Sequence, residues 1–198
     1  MIKGAMGSRT YFDPLHKGIT INCDCPEEKI IMQLIDSSPF QRLRRIRQLG
    51  PASLTFHGAE SSRFTHSLGV FFIARRALNK LIELDSKLKK YRSILYIAAL
   101  LHDIGHGPLS HTSEEMFGLK HEYWSGKLIR EHTEIQEILN SYDPSIGNIV
   151  ANIIEGKKTG LTVIEKLVSS QLDCDRLDYL LRDSYNTGTK YGLVDLER

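Results

Sequence analysis

Residues 94–101 constrain the fold of this chain more than any other segment does. Their sequence, ILYIAALL, is apolar around the whole circumference of a helix, which is typical of a helix at the centre of a domain. His102 and Asp103 follow at once, and the glycines and proline of residues 105–108 end the helix. A charged side chain in a buried place needs a partner or a metal. The sequence therefore predicts a central helix that carries half of a metal site.

Length and composition indicate one ordinary soluble domain. The 198 residues are 41% hydrophobic and 25% charged, with a formal net charge of +2, which is too small to favour a nucleic-acid partner. We find no signal-peptide pattern and no apolar stretch near the roughly 20 residues of a membrane span. Cys23, Cys25 and Cys174 form no C-x-x-C pair, so we expect reduced thiols in a cytoplasmic protein with no membrane partner.

The N-terminal residues carry little folding information. Residues 4–8, GAMGS, look like the remnant of an expression tag, and we expect residues 1–10 to be such a remnant or a disordered N-terminus. Residues 11–25 mix polar and β-branched residues with Pro14 and Gly18, which favours an extended arm or a short hairpin. A single domain over residues 11–198 is therefore expected.

Helical spacing dominates from Glu27 onward. Apolar residues at 30, 31, 34 and 35 predict a helix that the Ser-Ser-Pro of residues 37–39 ends, and those at 40, 43 and 46 predict a second that Gly50 ends. Further helices are expected over residues 64–84, 91–103, 122–130, 134–140, 145–154, 161–170 and 175–185. Strand patterns are scarce, so the expected fold class is mainly α.

Four residues fit one metal ion: His66, His102, Asp103 and Asp175. Imidazole suits Zn, Fe and Ni, while carboxylates widen the choice to Mn and Mg, and an octahedral ion would keep open positions for water and a phosphate oxygen. Other interpretations remain open at this point. His102 could interact favourably with the negative end of a helix dipole. Asp173 or Asp178 could be the ligand in place of Asp175, or could serve as caps and ion-pair partners.

A second group of polar residues follows the central helix: His106, His111, Glu114 and His121. Glycines let the backbone turn tightly there, so several imidazoles could lie beside a phosphate. An imidazole can protonate a leaving oxygen, and a nearby carboxylate can orient it. The alternative is that His111 and His121 are polar loop residues, and the residues alone favour that alternative for His121.

These motifs, taken together, resemble those of the HD-domain metal-dependent phosphohydrolases, and most closely the deoxynucleoside-triphosphate triphosphohydrolase branch. The matching segments are DPLHKG at residues 13–18, FQRLR through QLG at residues 40–50, RFTHSLGV at residues 63–70, LHDIGHGPLSH at residues 101–111 and DRLDYLLRD at residues 175–183. They follow the order of the family and span nearly the whole chain. The HD dipeptide alone is a weak signal, whereas the ordered set is specific.

The resemblance implies an HD-domain helical bundle in which His66, His102, Asp103 and Asp175 hold one divalent ion (Mn, Fe, Zn, Ni or Mg). It implies further roles for a larger set of residues. Near the triphosphate would lie His106, His111 and His121, with His111 and Glu114 as an acid/base pair and Arg63 in contact with phosphate. The sugar would be contacted by Gln48, Leu49, Tyr179 and Asp183. A regulatory nucleotide site would be matched by Asp36 and Arg44. The family often has Asp at the position of Glu114, so the proton path is open here.

The implied reaction is hydrolysis of a deoxynucleoside triphosphate (dNTP) to deoxynucleoside and inorganic triphosphate by a homo-oligomer. Two alternatives remain. One is an HD phosphohydrolase acting on a monophosphate, a cyclic nucleotide or a guanosine polyphosphate. The other is a non-catalytic nucleotide or nucleic-acid-binding module that uses the basic residues of segments 42–47 and 87–92. Relatives usually continue beyond the helix that holds the last Asp, so the chain is either a compact version or the catalytic core of a longer protein.

Overall fold

The computed structural model describes residues 7–192 and 194–196, and helices dominate these ranges. The hairpin strands are β1 (Ser8–Asp13) and β2 (Lys17–Asn22). The α-helices are α1 (Pro26–Asp36), α2 (Ser38–Gln41), α3 (Arg63–Leu84), α4 (Arg92–Leu101), α5 (His111–Phe117), α6 (His121–Glu131), α7 (Thr133–Tyr142), α8 (Ile146–Ile154), α9 (Thr162–Val168) and α10 (Cys174–Thr187). Short 3-10 turns cover Arg42–Arg45, Gly50–Leu54 and Ser86–Tyr91. The mainly α prediction is confirmed.

Helix α4 lies at the centre of the fold, as its composition predicts. Every side chain from Leu95 to Leu101 is buried, and the helix packs against α1, α3, α8 and α9. Helix α3 is the longest neighbour, and it packs on α4 along one side and on α10 along another. The start of α3, the end of α4 and the start of α10 are thereby brought to one place. None of the helices described here is long and apolar enough to cross a bilayer.

The N-terminal hairpin is a regular antiparallel pair whose register places Asp13 opposite Lys17. Ile19 and Ile21 alternate with exposed residues on β2, are fully buried and face the core beside α1, which is the pattern of a strand with one buried face. The predicted hairpin is therefore present. Strand β1 begins at Ser8, so residues 8–10 belong to the hairpin and not to a separate N-terminal segment. Residues 1–6 lie outside the described residues.

Residues 40–49 form less helix than their apolar spacing predicts. Helix α2 ends at Gln41, a single 3-10 turn follows, and Ile46 is extended. The backbone there pairs with the segment before α3: the Arg63 N–H donates to the Ile46 carbonyl at 2.8 Å, and the Gln48 N–H donates to the Ser61 carbonyl at 2.8 Å. The helix prediction is wrong here because these tertiary hydrogen bonds replace the helical ones. The short helix α5 was not predicted, because Pro108 and Gly118 enclose a stretch that looks like a loop.

Helix α10 begins at a side-chain cap. The Asp173 carboxylate accepts the backbone N–H of Arg176 at 2.7 Å and the N–H of Ser170 at 2.7 Å. The capping interpretation of Asp173 is thus confirmed. The cap fixes the first turn of the helix, and this turn carries Asp175.

We expect Asp173→Ala to lower the free energy of unfolding by about 1 kcal/mol, because it leaves two backbone donors without their acceptor. Denaturant titration monitored by circular dichroism measures this change. Asp173→Ser is the matched control, since serine is also a good N-cap residue and should keep most of the stability. Equal losses in the alanine and serine variants would contradict the capping explanation.

Candidate active site

Side chains from three helices meet at the C-terminal end of α4. His66 comes from α3, His102 and Asp103 directly follow the last residue of α4, and Asp175 lies in the first turn of α10. His66 Nε2 is 2.9 Å from Asp175 Oδ1 and 3.3 Å from His102 Nε2. Asp103 Oδ2 is 3.6 Å from His66 Nε2, and Asp103 Oδ1 is 3.4 Å from His102 Nε2. The structure therefore brings together His66, His102 and Asp175, whose ligand atoms lie within 4.8 Å of one another, and Asp103 lies beside them with a different oxygen near each histidine.

The arrangement of these atoms fits a divalent metal ion. Ligand atoms held about 2.1 Å from one ion are roughly 3.0–3.4 Å apart in octahedral or tetrahedral coordination, close to the separations found here. The Nδ1–H of His66 donates to Asp178 Oδ2 at 2.8 Å, and that of His102 donates to the Ala99 carbonyl at 2.9 Å. Each Nε2 lone pair then faces the site. Two such lone pairs with two carboxylates beside them form a ready set of donors for a cation.

The electrostatics of the site also favour a cation. Burial works to lower the pKa of His66, but hydrogen bonds to Asp175 and Asp178 raise it to about 9. The pKa of His102 is raised as well, because Asp103 and Asp175 outweigh burial. Burial works to raise the pKa of Asp175, yet the two imidazoles hold it well below its usual value. The carboxylates that raise the pKa of the two imidazoles would likewise attract a metal cation.

Arg63 contacts the candidate metal ligands through Asp103. Its Nη1 contacts Asp103 Oδ2 at 2.5 Å, and its Nε and Nη2 donate to the Ser110 hydroxyl. Burial opposes ionisation of Asp103, but Arg63 and the neighbouring imidazoles hold its pKa well below the usual value. Residue Arg63 is only 3% exposed, so in this structure its guanidinium serves as the partner of Asp103. A phosphate contact by Arg63 stays a prediction.

The second histidine group forms a cluster directly beside the first. The ligand atoms of His106, His111, Glu114 and His121 lie within 4.8 Å of one another. Glu114 Oε1 accepts from His111 Nδ1 at 2.8 Å and from His121 Nδ1 at 2.7 Å, and the rings of His106 and His121 stack 3.9 Å apart. The interpretation of His121 as an unconnected loop residue is wrong, because it lies in the first turn of α6 and bonds to Glu114.

The two clusters touch through Asp103. His106 Nε2 is 3.3 Å and His121 Nε2 is 3.6 Å from Asp103 Oδ1. Burial lowers the pKa of His106 to about 4, so this imidazole is neutral near pH 7. Among the described residues Nδ1 of His106 has no hydrogen-bond partner, and Nε2 has only the nearby Asp103 oxygen, which is poorly aligned for a hydrogen bond. A buried imidazole with an unpaired nitrogen next to an open cavity of about 260 Å³, whose walls include Pro108, Phe117 and Trp124, is suited to contact a ligand.

The residues predicted to face the sugar lie around the same centre. Tyr179 and Asp183 follow Asp175 at successive turns of α10. The Gln48 carbonyl accepts from the Ser110 hydroxyl at 3.2 Å, so residues 48–49 approach the segment before α5, and Leu49 is half-buried. Gln48 Oε1 and Asp183 Oδ1 are buried and have no hydrogen-bond partner among the described residues. Burial raises the pKa of Asp183. Such unpaired acceptors suit a ligand hydroxyl, and sugar binding stays a prediction.

The two residues predicted for a regulatory nucleotide site have local partners in this structure. Asp36 is exposed and forms an ion pair with Arg9 at 2.5 Å. The guanidinium of Arg44 stacks 3.6 Å above the ring of Phe64, and its Nε donates to Gln41 at 2.7 Å. Regulation through Asp36 and Arg44 stays a prediction.

The structure shows further residues behind the candidate ligands whose contacts the sequence does not specify. Asp13, His16, Asp178 and Arg182 form a buried ion network behind His66, and Ser110 holds Arg63 with its backbone at a φ of 56°. One signal for part of this network is visible in the sequence. Asp178 and Arg182 are separated by four residues on the same face of α10 as Asp175, which favours an ion pair.

Comparison with known proteins places these residues in a family. Residues 63–183, which include all four candidate metal ligands, match the HD domain. The chain is 43% identical over 194 residues to YwfO of Bacillus subtilis, an uncharacterized protein, covering 96% of this chain and 43% of that one. It is 34% identical over 173 residues to a deoxynucleoside triphosphate triphosphohydrolase SAMHD1 homolog of Dictyostelium discoideum, covering 80% of this chain and 34% of that one.

A solved structure agrees. The crystal structure of a hypothetical protein from Aquifex aeolicus superimposes with a TM-score of 0.80 at 35% sequence identity, covering 96% of this chain and 50% of that chain. The chain thus spans half or less of the length of each of these relatives. The family match, the order of the motifs and the meeting of two histidines and two aspartates at one point lead to the same conclusion: this chain belongs to the HD-domain family.

Proposed function

We propose that this chain is a metal-dependent phosphohydrolase that converts dNTPs to deoxynucleoside and inorganic triphosphate. The observation that carries the proposal is the direct contact, through Asp103, between the metal-ligand cluster and the second histidine cluster. Binding alone does not require a row of imidazoles beside a metal, whereas phosphoester hydrolysis needs both charge neutralisation and proton transfer. The similarity to a SAMHD1 homolog supports the choice of dNTPs within the family.

The first task of the site is to bind phosphate. A divalent ion held by His66, His102, Asp103 and Asp175 would supply neutralisation of phosphate charge and a lowered pKa for water. The site is accessible to solvent at Asp175, whose side chain is 37% exposed, whereas the side chain of His66 is fully buried. The neutral imidazole of His106 can donate an N–H to a phosphate oxygen without adding charge.

The second task is to protonate the leaving oxygen. Glu114 holds the Nδ1 atoms of both His111 and His121, so the Nε2 atoms of these rings are the ones available to substrate. Burial works to raise the pKa of Glu114, but the hydrogen bond and charge of His121 lower it. Glu114 therefore remains an ionised hydrogen-bond acceptor at neutral pH. His111 is 66% exposed and His121 is 14% exposed. We propose His111 and Glu114 as the acid/base pair, with His121 beside the triphosphate.

The third task is to recognise the sugar. Gln48 and Asp183 offer buried unpaired oxygens to a hydroxyl group, and Leu49 offers an apolar wall. The Tyr179 ring, one turn along α10 from Asp175, would pack where a 2′-hydroxyl would be and would reject ribose sterically. These assignments follow the resemblance and the positions of the residues.

A product assay tests the proposal. The purified chain, loaded in turn with Mn²⁺, Fe²⁺, Zn²⁺, Ni²⁺ or Mg²⁺, is incubated with each dNTP, and the products are separated by anion-exchange chromatography. We expect deoxynucleoside and inorganic triphosphate in equal amounts. Orthophosphate or pyrophosphate as the released product would reject the proposal. Turnover confined to a monophosphate, a cyclic nucleotide or a guanosine polyphosphate would assign a different HD phosphohydrolase activity.

Removing the Glu114 charge tests the acid/base assignment. We expect Glu114→Gln to lower kcat by roughly 10²-fold, because general acid/base catalysis contributes on this scale, while the metal content stays unchanged. Glu115→Gln is the matched control, since Glu115 is the exposed neighbour on the same helix. Wild-type kcat for Glu114→Gln would contradict the assignment.

A further inference from the structure

Asp178 is the most fully engaged carboxylate among the described residues near the metal ligands. Its side chain is completely buried. Oδ2 accepts from the Nδ1–H of His66 at 2.8 Å and from Arg182 Nε at 2.7 Å. Oδ1 contacts His16 Nε2 at 2.5 Å and accepts from Arg182 Nη2 at 3.0 Å. One carboxylate therefore links a candidate metal ligand on α3 to α10 and to a residue 162 positions away in the sequence.

The same network extends into the turn of the N-terminal hairpin. Arg182 Nη1 donates to Asp13 Oδ2 at 2.8 Å. Asp13 Oδ1 accepts the backbone N–H groups of Leu15 and His16, each at 2.9 Å, and this fixes the turn between β1 and β2. The position of the His16 ring is further defined by Phe72 of α3, whose ring centroid is 5.1 Å away. The turn and the buried ions thus form one connected network of contacts.

A buried ion network of this kind is not expected to add much to the free energy of unfolding. Buried ion pairs often contribute little net stability, because the desolvation of the charges offsets their attraction. This geometry does suit the orientation of a metal ligand. A carboxylate that accepts a hydrogen bond from one nitrogen of an imidazole fixes the ring and makes the other nitrogen a stronger metal ligand.

We infer that the hairpin turn is part of the support of the metal site: Asp13 and His16 act through Asp178 to hold the His66 ring in its ligating orientation. They are positioning residues and touch neither metal nor substrate. The inference rests on the metal site of the proposed function and is independent of which nucleotide is hydrolysed. It assigns a role to the N-terminal hairpin, which lies outside the matched HD segment of residues 63–183.

Paired substitutions at His16 test the inference on the full chain. His16→Leu removes the ring N–H that meets Asp178, whereas the side-chain amide of His16→Gln can still donate there. We expect the dissociation constant for Co²⁺, measured by isothermal titration calorimetry, to rise roughly tenfold in His16→Leu and to stay within about twofold of wild type in His16→Gln. Lys17→Gly is the control in the same turn, because Lys17 has a φ of 61° that glycine adopts readily.

The ligand-field absorption of bound Co²⁺ separates positioning from general stability, because it reports coordination geometry. We expect this spectrum to change in His16→Leu and to be native in His16→Gln and Lys17→Gly. Asp13→Asn keeps the turn acceptor but removes the charge facing Arg182, so it should weaken Co²⁺ binding severalfold even if His16→Leu does not fold. A lower melting temperature with native affinity and spectrum in His16→Leu and Asp13→Asn would overturn the inference. Failure of the wild-type chain to bind Co²⁺ would instead reject the metal site, and the inference with it.

Discussion

Replacing His102 with alanine is expected to abolish bound metal and to lower the rate of dNTP hydrolysis by at least about 10³-fold. The imidazole is one of two nitrogen donors at the site, and its Nε2 lies 3.3 Å from that of His66. Loss of the ion removes several kcal/mol of charge stabilisation on the phosphate, and each 1.4 kcal/mol corresponds to about tenfold in rate. Elemental analysis of the purified protein and release of inorganic triphosphate measure the two effects together.

His57→Ala is the matched control for this experiment. His57 is an exposed histidine of the same chain that takes part in none of the site contacts described above, and its removal should leave both metal content and rate unchanged. A His102→Ala protein that retained stoichiometric metal and full activity would show that the ligand set is wrong. Retained metal with lost activity would instead assign His102 to substrate handling.

Replacing Gly69 with alanine is expected to lower the free energy of unfolding by about 3 kcal/mol, although alanine is intrinsically the better helix former by about 1 kcal/mol. Gly69 faces α10 from the middle of α3, one turn after His66. A β-carbon there would overlap the Asp178 carboxylate and come within 2.6 Å of Arg182 Nη2. Neither group has room to move, since both are buried in the ion network, so the helices must separate or the network must break.

Chemical denaturation of the metal-free protein measures this loss. Gly147→Ala is the matched control, because a β-carbon on Gly147 of α8 would meet Leu139 Cδ1 at 3.4 Å and Ile129 Cγ2 at 4.0 Å, both ordinary contacts. That variant should be as stable as wild type or more stable by up to about 1 kcal/mol. We also expect Gly69→Ala to weaken Co²⁺ binding, since the same carboxylate orients His66. Wild-type stability in Gly69→Ala would mean that α3 and α10 are not packed as described.

Local pattern was sufficient to predict most of the helical framework. The uniformly apolar run before His102 could only be buried, and it does form the central helix α4. The stripe at residues 30–35, ended by Ser-Ser-Pro, predicts α1 within a residue. Prediction failed at residues 40–49, where backbone hydrogen bonds to residues 61–63 replace helix, and at α5, which is too short to show a period.

The ligand types could also be read from the sequence, because few residue types bind a divalent ion and the motifs occur in a known order. The hydrogen-bond and ion-pair partners of these ligands could not be read from the sequence. The sequence alone allowed Asp178 to be an ordinary ion-pair residue, and the motif that contains His16 does not indicate which residue of a site built 50 to 160 residues later it contacts. The connection exists only because α3 packs between the hairpin and α10.

The helical class, the central helix and the chemical identity of the candidate ligands could thus be inferred from the chain alone, since each depends on local periodicity or on residue type. Three contacts could be learned from the folded structure and not before: Glu114 binds two imidazoles at once, Arg63 neutralises Asp103, and the hairpin turn contacts the carboxylate that holds His66. These are contacts between distant segments, and their distances are set by how helices pack, which no local pattern encodes.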